Sequence, residues 1–464
     1  MATFIAILCV ITIAFCVPLI ILKPKWVFYI FLASALFNSI LSGYVNEAGN
    51  LGLPLTWAPA DFLSLMTLFA AMFVHSQTQF RAGFIKKCII VLALLSVLSL
   101  IQGIILFPRD ALTHSRVVHF AAAGVFALRY FTSYSRVRGF LKFSVFLMLI
   151  MFGLHILIRT GIYEAPIAET GRIVEIGGLV GERGTRALIP MLYLVMISLA
   201  IGRFSNRVGI FVVSIIMLLI GLGGIVLSET RSTYGAMVIL VISALIFMRA
   251  RIKNTIIFTS VAMFIVYAAT IAGFDFLARF RTDYGQGHYA LPSFHELRNN
   301  WRGIEYETIA SSYKQQPYFL LTGRGVGAMH PAPRGADPMV GFYHSEYLGW
   351  LDRCGLIGLF MVIVLILACL WRSFMLARSD IMYLRYIGTT SFLLIIALAA
   401  DGVFHPIFSH YRGASILICF AAILANWRDI YMSLTEETQV CDEEIEEELI
   451  EDYDSNYGLP QIAY

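Results

Sequence analysis

The chain has 464 residues, 59% of them hydrophobic and only 14% charged, with a mean hydropathy of +0.77. Globular domains carry about 25% charged residues, so an ordinary water-soluble domain is excluded. The net charge of +4 hides an asymmetry: eleven acidic residues crowd 436–454 and no Lys or Arg follows Arg428, so 34 basic residues against the other 19 acidic ones leave the body at +15. A basic membrane body suits anionic lipids or an anionic lipid-linked substrate.

Apolar runs long enough to cross a bilayer as helices recur along the chain, at 4–22, 26–43, 59–75, 86–107, 117–131, 141–158, 187–202, 208–228, 232–248, 255–273, 347–371, 386–403 and 412–427. Segments of about ten residues with alternating polarity, the mark of a membrane barrel, are absent. The expected fold is an all-α polytopic membrane protein of about 12–13 transmembrane helices, with one large outer loop that contains short helices. Residues 1–273 form the first part of the bundle and 274–346 the large loop with the candidate site residues. Residues 347–428 supply the last helices, and 429–464 an acidic tail expected to be disordered. The first run is not read as a cleaved signal peptide, because no basic stretch precedes it and Lys23-Pro24-Lys25 leads straight into a second apolar run.

Orientation follows from the basic residues of short loops. Lys23 and Lys25, then Arg81, Lys86 and Lys87, then Arg136, Arg138 and Lys142, then Arg203 and Arg207 all fall on one side. Arg249, Arg251 and Lys253, then Arg372, Arg378 and Arg385, and finally Arg428 join them. The basic side is expected to be cytoplasmic, with the acidic tail on it. Residues 159–186, Arg231, the stretch 274–346 and the 404–411 loop then share the outer face. Residues 159–186 read as a solvated loop or a lid. The seven cysteines form no CxxC pair, so they read as small apolar packers.

Four groups of residues on that outer face could carry chemistry. In Ser228–Gly235, Arg231 sits at the membrane boundary, where it either snorkels or pairs with Glu229, or grips a phosphate with its forked guanidinium. In the large loop, 299–312 reads as a helix with Trp301, Ile304 and Ile309 as apolar positions. Arg298 and Arg302, four apart, then face one way, suited to a pyrophosphate or to ion pairs with Glu305 and Glu307. Gly323-Arg-Gly-Val-Gly327 lacks a dinucleotide fingerprint's third glycine spacing and reads as a tight turn, whose Arg324 can face substrate. His344 closes the polar stretch just before a helix start, where a proton-exchanging imidazole and a positive helix end favour chemistry on anions. Glu346, two residues on, is a further candidate for binding substrate. Gly355 and Gly358, one turn apart, permit close helix approach. His405 and His410 share the face, but their i, i+5 spacing is not that of helical metal ligands, so no metal is expected.

These residues resemble the signature of the O-antigen ligase family: His344-Ser345, nine residues, then Gly355-Leu-Ile-Gly358. Ser-Glu-Thr-Arg231-Ser before a span, Arg298 and Trp301 ahead of a helix, and Gly323–Gly327 follow the family's order. The likeness covers roughly 210–375. It implies a GT-C-type glycosyltransferase of the bacterial inner membrane. Such enzymes move a glycan from undecaprenyl diphosphate to an acceptor hydroxyl on the periplasmic face, without nucleotide sugar, metal or cofactor. By that likeness Arg231, Arg298 and His344 are catalytic, the arginines on the diphosphate and His344 at the acceptor hydroxyl. Arg302, Arg324, Glu346 and Trp301 bind diphosphate or glycan. The acceptor is lipid A-core for a ligase or a growing glycan for a polymerase, with the ligase in the lead. Membrane lipids are the other partners, and nucleic acid is not one. A transporter or flippase of lipid-linked sugars is the alternative from another class, disfavoured by spans with few internal charges (His119, Arg129 and His155).

Overall fold

A computed structural model describes residues 2–49, 59–75, 83–113, 117–159, 173–176, 179–182, 208–228, 301–328, 330–331, 339–340, 345–403 and 411–436, with a few isolated positions between 239 and 260. The helices in chain order are α1 (Ala2–Leu22), α2 (Pro24–Gly49), α3 (Pro59–Phe73), α4 (Phe84–Leu106), α5 (Pro108–Thr113), α6 (Val117–Tyr130), α7 (Tyr134–Arg159) and α8 (Val208–Ser228). They continue with α9 (Trp301–Gln315), α10 (Phe319–Thr322), α11 (Glu346–Ala377), α12 (Met382–Asp401), α13 (Tyr411–Ala425) and α14 (Trp427–Glu436). The chain is an all-α polytopic membrane protein.

Helices dominate because a chain in hydrocarbon must satisfy its backbone within each segment. Side-chain hydroxyls obey the same rule by bonding to a carbonyl one turn back: Thr67 to Leu63 at 2.7 Å, Ser96 to Leu92 at 2.8 Å and Ser214 to Ile210 at 2.8 Å. Among the described residues, α4, α11 and α12 are long and apolar enough to cross a membrane, and α13 with α14 make a fourth candidate bent by 65°. The expected spans at 187–202, 232–248 and 255–273 lie outside the described residues, apart from the isolated positions.

At the centre stands α13. It touches α2, α4, α6 and α12, and its run Ile416–Leu424 is buried on every face, as an all-round apolar helix must be. Around it α1, α2, α3 and α6 pack together, with Phe28 stacked on Phe126 at 4.5 Å between ring centres. On the other flank α4 lies between α6 and α11, and α11 pairs with α12. Leu94, Leu98 and Ile105 on the outer side of α4 are exposed, a lipid-facing stripe. Cys16, Cys88, Cys354, Cys369 and Cys419 are buried free thiols, packing as the sequence leads one to expect.

Three features differ from expectation. The segment 159–186, read as a loop, contains an antiparallel hairpin of β1 (Ile173–Ile176) and β2 (Leu179–Glu182), with Ile176 opposite Leu179 and β2 lying against α7. Its alternation was too short to stand out beside long helical runs. The last span does not end at 427 in a free tail: the chain bends and continues as α14 to Glu436. Residues 437–464 lie outside the described part. Finally, α11 is not the continuous helix its sequence implies, because Gly355 has φ +66° and ψ −166°. A second small hairpin pairs β3 (His330–Pro331) with β4 (Met339–Val340).

The bend between α13 and α14 has a polar anchor. Asn426 is buried, and its Nδ2 donates to the carbonyl of Leu128 at 2.8 Å, close to the C-terminal end of α6, where carbonyls run out of helical partners. Ser433 on α14 accepts the Tyr134 amide at the start of α7 at 2.8 Å. Replacing Asn426 by Ala strands a buried carbonyl, and a loss of roughly 1–3 kcal/mol is expected. Denaturation of the detergent-solubilised variant against wild type measures it.

Candidate active site

The outer end of α11 is assembled around its break. A continuous helix would pass the carbonyls of Leu351, Asp352 and Arg353 to amides one turn on. At Gly355 the backbone leaves helical register, and each of the three carbonyls meets a donor from another element. Tyr313 of α9 donates its hydroxyl to Leu351 O at 2.8 Å. The Arg324 amide donates to Asp352 O at 2.6 Å. Arg353 O accepts both the Gly325 amide at 3.2 Å and the Ser99 hydroxyl of α4 at 2.9 Å. Irregular backbone in a membrane protein survives only where such partners are supplied.

The glycines of residues 323–327 make this docking possible. Gly323, Gly325 and Gly327 have φ of +75°, +90° and +92°, in the left-handed region that side chains disfavour. A Cβ on Gly323 would run into the Arg353 backbone, and one on Gly355 into the Leu321 carbonyl. On α4, Gly103 lets Val326 lie directly against the helix backbone, where the Val326 amide donates to Ser99 O at 3.0 Å and Gln102 Nε2 to Gly323 O at 2.9 Å. The expected tight turn is present, and its partner is the break itself. Gly355 does permit close approach, but of this turn, and by leaving the helix.

One buried ion pair locks the arrangement. Arg324 Nε donates to Asp352 Oδ1 at 2.6 Å and Nη2 to Oδ2 at 3.0 Å, a two-pronged contact between a guanidinium 8% exposed and a fully buried carboxylate. Close by, burial first and the Asp352 charge second push the Tyr313 hydroxyl well above the ordinary tyrosine range, so it stays a neutral donor to Leu351 O.

The other candidates attach to the same hub. Glu346 is the first residue of α11 and fully buried; its amide donates to Gly402 O at 2.9 Å. Tyr347 donates to Ala399 O at 2.8 Å, so the first turn of α11 is bolted to the last turn of α12. Trp301 and Arg302 open α9, which rests on α11 through Ile309 against Leu348. Arg231, Arg298 and His344 lie outside the described residues, as do His405 and His410. Since α9 begins at Trp301, the helical alignment of Arg298 with Arg302 also falls outside them. Arg324, read as able to face substrate, presents its Nε and Nη2 edge to Asp352.

Sequence reasoning missed Asp352, Ser99 and Gln102. The aspartate carried a signal: it sits in an apolar span, where a charge is expensive, and it is fully buried. Ser99 and Gln102 gave none, since polar residues in α4 look like any others until the turn is placed on them.

Residues 215–363 match the family model described as O-antigen ligase. This bears out the family resemblance. The matched interval contains Arg231, Arg298, Trp301, Arg302, Arg324, His344, Glu346, Gly355 and Gly358. No curated protein matches the chain. An O-antigen ligase family region implies a glycosyltransferase of the ligase or polymerase type, acting on lipid-linked glycans in the bacterial inner membrane.

Removing one half of the Arg324–Asp352 pair strips a buried charge of its two-pronged contact, so Asp352→Ala is expected to cost about 3–5 kcal/mol, whereas Arg324→Met with Asp352→Leu together cost less than the sum of the single changes. A double-mutant cycle on the solubilised protein measures the coupling.

Proposed function

We propose that the protein transfers a glycan from undecaprenyl diphosphate to an acceptor hydroxyl on the periplasmic face, as an O-antigen ligase with lipid A-core as acceptor. The observation that carries the reading is the O-antigen ligase match across 215–363, which spans the candidate residues in the family's order. The bracing of the first turn of α11, which follows His344 in the chain, supports it: Glu346 and Tyr347 tie that helix end to the end of α12.

In this reading Arg231 and Arg298 bind the diphosphate and neutralise the charge that grows as it departs. His344 accepts the proton of the acceptor hydroxyl. The oxygen bonds to the anomeric carbon as the bond from that carbon to the phosphate oxygen breaks, and undecaprenyl diphosphate leaves with the bonding pair. Diphosphate is a good leaving group once neutralised, so neither a metal nor a cofactor is called for. Arg302 and Trp301, at the start of α9, contact diphosphate and glycan, and Glu346 orders the acceptor side. Arg324 serves by fixing the turn to α11.

The same site serves a polymerase whose acceptor is a growing glycan, and the acceptor groove separates the two. A flippase is the reading from another class, and the family match across 215–363 favours transfer over it.

The test is complementation in a host deleted for the gene, with cell-surface polysaccharides separated on a gel. Wild type restores lipid A-core-linked glycan, while His344→Ala and Arg231→Ala restore none yet insert normally. General-base loss alone accounts for roughly 10²–10⁴ in rate. Accumulation of single repeat units in the deletion strain marks a polymerase. A deletion that changes no polysaccharide overturns the glycan-transfer reading.

A further inference from the structure

At the opposite ends of the two helices that hold the glycine turn, α4 and α11, lies a crevice that the transfer reaction does not use. It has a volume of about 870 Å³ and is walled by the start of α4, the second half of α11, and the bend between α13 and α14. A crevice of this size accommodates a molecule the size of a lipid headgroup with the upper part of its chains. The helical distance from Lys86 to Gly103 along α4 puts it about 25 Å from the candidate active site.

Its lining has two chemistries. Val364, Leu367 and Ala368 of α11 and Leu424 of α13 provide an apolar wall. Lys86, Arg372 and Arg428 provide three cations, against one acid, Asp429. The cations come from three different elements. The guanidiniums of Arg372 and Arg428 each stand 5.4 Å from the centre of the same indole, Trp427. Two like charges gathered on one ring repel, and an anion received between them relieves that repulsion. Trp371 beside them is exposed, an amphipathic ring of the kind that sits at the headgroup level. The first amides of α4 border the same space, and its cap, Gly83, supplies no side chain to them.

We infer that this crevice binds an anionic glycerophospholipid, its phosphodiester held by Lys86, Arg372 and Arg428 and its acyl chains laid along Val364, Leu367 and Ala368 of α11. A free phosphate would leave the apolar wall bare, and a zwitterionic lipid would set its own ammonium among three cations. Charge complementarity therefore selects the anionic lipid. The inference does not depend on the glycan-transfer reading.

The experiment is thermal unfolding of the full chain in detergent with added phosphatidylglycerol, with phosphatidylcholine of the same acyl chains, or with glycerol phosphate. Native mass spectrometry then counts retained lipid. Phosphatidylglycerol is expected to raise the midpoint more than the other two, and its affinity to fall roughly fivefold for each cation removed in Lys86→Gln or Arg372→Gln/Arg428→Gln. Arg372→Lys/Arg428→Lys keeps the charges and retains most of the effect. Should the arginine pair prove too unstable to purify, Lys86→Gln, at a half-buried helix start, carries the test alone. Equal shifts with the two lipids, an equal shift with glycerol phosphate, or an unchanged phosphatidylglycerol effect in the variants each overturns the inference.

Discussion

The structure depends on three backbone carbonyls in one helix. Opening α11 at Gly355 would leave Leu351, Asp352 and Arg353 oxygens unbonded at membrane depth, and each unsatisfied group there costs several kcal/mol. Tyr313, Arg324, Gly325 and Ser99 remove that cost, and they come from α9, from the glycine turn and from α4. The break therefore does more than bend a helix. It obliges α9, the glycine turn and α4 to dock at one place, and so it fixes Arg324 against the first half of α11.

The docking is also rigid, for reasons of size as well as polarity. The turn reaches the α11 backbone only because Gly323, Gly325 and Gly327 take left-handed conformations, and it reaches α4 only because Gly103 has no side chain. Arg324 and Asp352 then add a charge-assisted clasp that is buried from water and not screened by salt. A buried ion pair is weak evidence for net stability, but it discriminates sharply against other registers of the turn. For the proposed transfer such discrimination would count, since misplacement by about 1 Å can cost about a hundredfold in rate.

Much of the architecture was legible because hydropathy and helix length are local quantities. The runs expected at 59–75, 86–107, 208–228 and 412–427 coincide with α3, α4, α8 and α13 to within a residue or two at most ends. The turn at 323–327 was legible from its three alternate glycines. What escaped is what depends on partners distant in sequence. Ser99 and Arg353 are 254 residues apart and Asn426 and Leu128 are 298 apart, and no spacing rule connects them. The partner of Arg324 escaped for the same reason: an arginine in a polar loop gives no sign that a buried aspartate 28 residues on takes one of its edges. Gly355 and Gly358 announced close packing, and only the turn lying against Gly355 shows why a helical glycine became a break.

The basic residues make the final connection between sequence and shape. Counting cations in short loops put Lys86, Arg372 and Arg428 on one side of the membrane, and the fold brings those three to a single crevice. The same helices, α4 and α11, carry the glycine turn at their other ends. Each helix thus has one end fixed by internal hydrogen bonds and another that carries cations into a shared crevice. An anionic headgroup bound in that crevice, as inferred above, would join the basic ends of α4, α11 and α14 much as hydrogen bonds join their partners at the glycine turn.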